Sequence, residues 1–250
     1  MKRVSIFLTA LIMILCACDH APAPTEPIPT QPTRPAPTET VPLPTAAPTE
    51  PTVPTEPQPT EPVVMHAHAV EDHLLPLEAY SDPRTETPEF VVIHFISAVV
   101  NHRDDPYNID LIRDIFIDYN LSIHYVIQRD GTVHCYIPED RVAWHAGKGE
   151  WKGDPKYTNT MNRYSIGIEL IAMGSESDMS IYMSSKEYHD LDSTLMGYTD
   201  AQYASLKCLV TDICRRNGIP MDRQHVIGHE EYSAHKTDPG ELFDWSRLIP

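Results

Sequence analysis

Basic residues are scarce in this chain of 250 residues: 19 lysines and arginines stand against 36 aspartates and glutamates, a formal charge of −17. Removal of the two cations Lys2 and Arg3 with an N-terminal leader takes −17 to −19. A chain this acidic repels phosphate, which argues against nucleic acid as a partner, and it avoids sticking to anionic polymers outside the cell. Cysteine is scarce too. Beyond the leader only Cys135, Cys208 and Cys214 remain, and an odd count argues against a disulfide framework. Cys208 and Cys214 stand six residues apart on an expected helix, hence on different faces, so all three are read as small buried apolar side chains. The N-terminal apolar run is too short for a comfortable membrane span. No internal repeat is present, and the absence of H-E-x-x-H excludes the common helix-borne metalloprotease site.

What is present falls into three materials. Residues 1–18 carry Lys2-Arg3, an apolar run from Val4 to Leu15, and then Leu15-Cys16-Ala17-Cys18. That order reads as a secretion signal. Its end resembles a bacterial lipobox, with Cys18 as the lipid-modified residue because Ala17 precedes it and Leu15 stands at −3. Residues 19–63 repeat P-T-E-P and P-T and hold most of the 24 prolines. Proline removes backbone donors and extends the residue before it, so this is expected to be a disordered, semi-rigid spacer that provides reach. Globular composition begins near residue 64. His66, His68 and His73 are assigned to the ragged entry rather than to a site.

Within 64–250 the patterning alternates strand and helix. Phe90–Ser97, a continuous β-branched and aromatic run, suits a strand covered on both faces. Ile109, Ile112, Phe116 and Tyr119 predict an amphipathic helix over 108–120. Ile123–Gln128 and Thr132–Ile137 flank Arg129-Asp130-Gly131, a hairpin signal. Ser165–Ile171 reads as another buried strand, and Thr199-Asp200-Ala201-Gln202 as a capping box that opens a helix closed by Gly218. Gln224–Gly228 is a short strand. Residues 172–198 carry no assignable element, and a loop of that length is expected to border a site. The fold class is therefore α/β, a single mixed sheet flanked by helices, in a chain expected to be monomeric with no appended module after it.

The chemistry concentrates in Gly228–Gly240, G-H-E-E-Y-S-A-H-K-T-D-P-G. This stretch is expected to be irregular, being too rich in turn formers for a regular helix or strand. Its His229 and Asp238 are zinc-ligand types, and Lys236 between them is suited to stabilising developing negative charge. His94 inside its strand would be a core residue if taken alone. Placed at the same sheet edge as His229, with Asp238 returned by its Asp-Pro-Gly turn, it completes three protein ligands and leaves a fourth position for water. Glu169 is the odd residue of S-I-G-I-E-L-I, a carboxylate in an apolar run that needs a partner or a cleft. It is the candidate proton acceptor.

These residues fall in motifs that together resemble one family: V-V-I-H ending at His94, R-V-A-W-H-A-G at 141–147, N-R-Y-S-I-G-I-E-L at 162–170, Y-T-D-A-Q-Y at 198–203, G-H at 228–229 and K-T-D-P-G-E-L-F-D-W at 236–245. Each alone is weak, but their order is specific. The chain is similar over about residues 88–249 to the type-2, zinc-dependent N-acetylmuramoyl-L-alanine amidases, whose fold is shared with peptidoglycan-recognition proteins. The resemblance implies one zinc ion per chain held by His94, His229 and Asp238, with Glu169 as catalytic acid/base and Lys236 as transition-state stabiliser. It implies that Trp144 and His145 border the substrate cleft. For His124 it leaves open support of a ligand from behind or service to the fold alone. The stretch between His229 and Lys236 is one residue shorter than in the cytoplasmic recycling members.

The implied enzyme is an amidase, extracytoplasmic and held to the membrane through Cys18, that cleaves the bond between the lactyl group of N-acetylmuramic acid and L-alanine in peptidoglycan or muropeptides. Two other classes compete with it. A non-catalytic peptidoglycan-binding module would be favoured by loss of a ligand, Glu169 or Lys236, none of which is missing. A cysteine peptidase would use Cys135, but the adjacent His134 points to the opposite face of a strand.

Overall fold

A computed structural model describes residues 73–249. The expected leader, Cys18, the Pro/Thr-rich spacer, His66 and His68 lie outside the described residues. In chain order the elements are α1 Leu77–Tyr80, β1 Ser81–Pro83, β2 Phe90–Ile96, α2 Ile109–Asp118, β3 Tyr125–Ile127, β4 Val133–Cys135, β5 Arg141–Ala143, α3 Met161–Tyr164, β6 Ser165–Ile171, α4 Glu176–Met179, α5 Ser185–His189, α6 Asp200–Asn217, β7 Val226–Gly228 and α7 His229–Tyr232. Among the described residues no helix is long and apolar enough to cross a membrane.

Five strands form a mixed sheet in the order β4-β3-β6-β2-β7, antiparallel only between β3 and β4. The expectation of a mixed sheet with helices holds. The expectation of a single sheet needs one addition, because β1 and β5 pair as a separate antiparallel ribbon of three residues each. Arg141 ties that ribbon down, with its Nε on Ser81 Oγ at 2.5 Å and its Nη2 on the Ser81 carbonyl at 3.1 Å.

The central strands are apolar on both sides because both sides are covered. Val91 and Ile93 of β2 join Ile166, Ile168 and Leu170 of β6 against Leu206, Val210 and Ile213 of α6. Each such fully buried aliphatic side chain contributes roughly 1.5–3 kcal/mol. On the other face α2 brings Ile112 and Phe116 onto Val126 and Ile171. Local signals set the helix ends. Asn108 Oδ1 accepts from the N–H groups of Asp110 and Leu111, and Thr199 with Gln202 forms the expected capping box at the start of α6. Gly218 ends that helix at φ 68°, a left-handed position suited to glycine.

Gln202 also ties the layers together. Its buried Nε2 donates to the carbonyls of Ile127 and Ile171, at the C-terminal ends of β3 and β6. Two expectations are corrected. The stretch from Gly228 is not wholly irregular, because it opens with one helical turn, α7, directly after β7. Cys208 is only half-buried, while Cys135 and Cys214 are buried as expected.

Candidate metal centre

The alternation of β2 and β6 builds the floor of the site. Residues 91 and 93 face α6, so His94 projects from the opposite face with Phe90 and Val92. The parallel register sets Glu169 directly beside it. His94 therefore lies within β2, two residues before its end, rather than at the strand terminus. His229 follows β7, the other neighbour of β2. Asp238 returns from the far side of the turn, with its carbonyl accepting from the Glu230 N–H at 3.0 Å. The short path between His229 and Lys236 is thus long enough to bring all three expected residues together.

Among the described residues His94, His229 and Asp238 form a group able to hold a metal ion, and all three are buried. His94 Nδ1 lies 2.8 Å from Asp238 Oδ2 and 3.0 Å from His229 Nδ1, and His229 Nδ1 lies 3.0 Å from the same oxygen. Protons can be assigned from the far side of each ring. His229 Nε2 faces the Ala146 carbonyl at 3.1 Å. A carbonyl only accepts, so Nε2 carries the proton and Nδ1 offers a lone pair. Ser165 Oγ donates to the Met161 carbonyl at 2.7 Å, so it accepts from His145 Nε2 at 3.2 Å. Neutral His145 then accepts at Nδ1 from His94 Nε2, 3.0 Å away. His94 Nδ1 is left as a lone pair as well.

Three acceptors therefore meet at contact distance with no proton assigned between them, an arrangement that is repulsive unless a cation sits among them. Burial, and then His229, push His94 down to about 4, so it does not supply that charge near neutral pH. At Asp238 burial alone opposes ionisation, so an anion there needs positive charge beside it. Two imidazole nitrogens and one carboxylate oxygen make a donor set that fits zinc.

Glu169 is 8% exposed, and its Oε2 has no hydrogen-bond partner. An unmet buried acceptor costs about 1–3 kcal/mol. Burial, followed by the charge of Asp238, pushes this carboxyl well above its ordinary value, while Lys236 pulls it down. Lys236 is half-buried, and its charge is felt at both Glu169 and His94.

The remaining expected residues lie around this core. His145 sits behind His94 with both ring nitrogens used inside the protein. It packs so closely on β6 that a Cβ at Gly167 would fall 2.6 Å from its ring, which accounts for the glycine in S-I-G-I-E-L. Trp144 is half-buried and donates through Nε1 to Asp82 Oδ2 at 2.9 Å. His124 lies deeper, accepting at Nδ1 from the Gly167 N–H at 3.0 Å, with Nε2 facing the Arg141 carbonyl at 3.2 Å. It is buried beside His145 and does not reach the three acceptor atoms.

Sequence reasoning did not single out Asn162, whose Oδ1 accepts from the N–H groups of His145 and Ala146 and fixes that stretch. Nor did it single out Tyr182 and Tyr198 of the unassigned segment. Burial raises both phenols, with a further push from Asp238 and Glu169 that marks them as neighbours of the centre. Cys135 stands on β4, the opposite edge of the sheet from β7, with β3 and β6 between it and β2. That position separates it from the acceptor cluster.

Residues 84–241 match the family model described as N-acetylmuramoyl-L-alanine amidase. The chain is 32% identical over 179 residues to the 1,6-anhydro-N-acetylmuramyl-L-alanine amidase AmpD of Citrobacter freundii, covering 66% of this chain and 81% of that protein. It is 29% identical over 139 residues to the N-acetylmuramoyl-L-alanine amidase AmiD of Escherichia coli K12, covering 52% and 44% of the two chains. Among solved structures, a selenomethionine AmpD derivative covers 74% of this chain and 93% of its own at 27% identity, with a TM-score of 0.48.

Proposed function

This chain belongs to the type-2 N-acetylmuramoyl-L-alanine amidase family, and from that premise we propose that His94, His229 and Asp238 hold one zinc ion at which Glu169 and Lys236 carry out amide hydrolysis. The enzyme is an N-acetylmuramoyl-L-alanine amidase acting on peptidoglycan-derived substrates. The observation that carries the zinc reading is the meeting of three proton-free acceptors 2.8–3.0 Å apart beside a buried carboxylate. When bound there, zinc supplies Lewis acidity that acidifies water and polarises a carbonyl.

The protein's own groups do the rest. Glu169 takes the proton from the attacking water and delivers it to the departing amine of L-alanine, so the lactyl carbon gains an oxygen as its bond to nitrogen breaks. The Lys236 ammonium faces the negative charge that develops on the carbonyl oxygen. His145, with Ser165 behind it, holds His94 in the tautomer whose Nδ1 is free to ligate. Trp144, half-buried on the same stretch with its Nε1 on Asp82, is the residue of this pair assigned to the substrate cleft.

His145→Phe is expected to weaken zinc binding by about 10–100-fold, the usual cost of losing a group that orients a ligand. Competition with a chelator of known affinity reads this directly, and parental affinity in the variant would remove the proposed role. The reading also takes Cys18 as a lipidated anchor on an extracytoplasmic enzyme. Cys18→Ala should then move the protein from the membrane fraction to the soluble one, and an unchanged distribution would count against the anchor.

A further inference from the structure

Segment 172–198 packs its own small core of Met173 and Met179 with Val99, and its two ends grip the turn that carries Asp238. At one end Asp178, 5% exposed, belongs to the capping box of α4. Its Oδ2 accepts from the Ser175 N–H and Oγ at 2.9 Å each, and from the Glu241 N–H at 3.1 Å. Its backbone carbonyl accepts from Thr237 Oγ1 at 3.0 Å. At the other end the Tyr198 hydroxyl donates to the Pro239 carbonyl at 2.6 Å. These contacts bracket Asp238, with Thr237 before it and Pro239 and Glu241 after it. Gly240 lets the two segments close, since a Cβ there would lie 2.4 Å from Asp178 Oδ2 and its φ is +75°.

We infer that Asp178, assisted by Tyr198, is a positioning residue that latches the Asp238 turn and so holds the carboxylate against His94 and His229. Asp178 touches none of the three acceptor atoms and acts through the Thr237 hydroxyl and the Glu241 backbone N–H, on either side of Asp238. The turn needs such support because residues 233–241 pair with no strand. A carboxylate ligand must be held to about half an ångström. An ionised acceptor facing a backbone N–H gives one of the stronger hydrogen bonds available for this. The inference rests on the zinc reading for its consequence, but not for the contact itself.

The test uses the full chain and two readouts, hydrogen exchange over residues 237–241 and the zinc dissociation constant from chelator competition. Asp178→Ala should speed exchange at the Glu241 amide and weaken zinc binding by about 10–100-fold. Asp178→Asn, which keeps an acceptor oxygen, should recover most of both. Ser184→Ala breaks the other capping box of the same segment, at α5, and should leave both at parental values. If Asp178→Ala does not fold, Tyr198→Phe removes one latch contact with little change of shape, and should also speed exchange and weaken zinc binding. Parental exchange and parental zinc affinity in Asp178→Ala would overturn the inference. So would an equal effect of Ser184→Ala, which would reduce the segment to general support. A parent chain that takes up no zinc would count against the metal reading, and exchange at Glu241 would still decide the latch.

Discussion

Glu169→Gln is expected to lower kcat by about 10²–10⁴-fold, the usual contribution of a positioned general acid/base, while zinc uptake stays parental. The substitution keeps the shape of a side chain that lies beside His94 in register and removes only its ability to exchange a proton. The same variant has an opposite effect on stability. Burial, then Asp238, raises the Glu169 pKa in the folded protein, so above its unfolded value of about 4.3 the folded state holds the proton more tightly than the unfolded state. Folding stability of the metal-free parent should therefore fall as pH rises from that value towards the raised folded pKa. Glutamine has no proton to lose and should flatten this dependence. Denaturant melts of both proteins, run metal-free across pH 4–8, compare the two slopes. Equal slopes would contradict the raised folded pKa, and a kcat within a few-fold of the parent would remove Glu169 from its catalytic role.

Asp238→Ala is expected to cost more in zinc affinity than the 10–100-fold typical of a residue that merely orients a ligand, and activity at limiting zinc should fall with it. Asp238 is the one anionic member of the trio, and its Oδ2 contacts both His94 and His229. Without it two neutral imidazoles remain, a weak site for a dication. Metal analysis of the dialysed variant, alongside circular dichroism to verify the fold, provides the comparison with Glu169→Gln. One variant should lose metal and rate together, while the other should lose rate alone. Stoichiometric zinc in Asp238→Ala would contradict the ligand assignment.

The parts of the site legible in the sequence were those whose signals are local or whose order is specific. β6 and α6 follow the apolar pattern and caps of Ser165–Ile171 and Thr199–Gly218 because sheet and helix faces bury in the periods written into them. Glu169 stood out because an apolar run tolerates a carboxylate only for a reason, and it is buried with an unmet oxygen. The link from His94 through His145 to Ser165 was not legible. It depends on lateral register between β2 and β6 and on the space above Gly167, neither of which leaves a periodic trace.

Segment 172–198 was unreadable as periodicity because helices of four and five residues are too short to show one. Its capping pairs Ser175 with Asp178 and Ser184 with Glu187 were nevertheless present in the sequence. The ribbon of β1 and β5 escaped for a similar reason. Three-residue strands held by the side chains of Arg84 and Arg141 are set by tertiary contacts rather than by strand propensity.

The most direct test of the central claim is digestion of purified peptidoglycan by the full chain with and without a chelator, with products identified by mass spectrometry. Free stem peptides beginning with L-alanine, lost with the chelator and restored by zinc, are the predicted result. Cleavage inside the stem peptide that survives the chelator would contradict it.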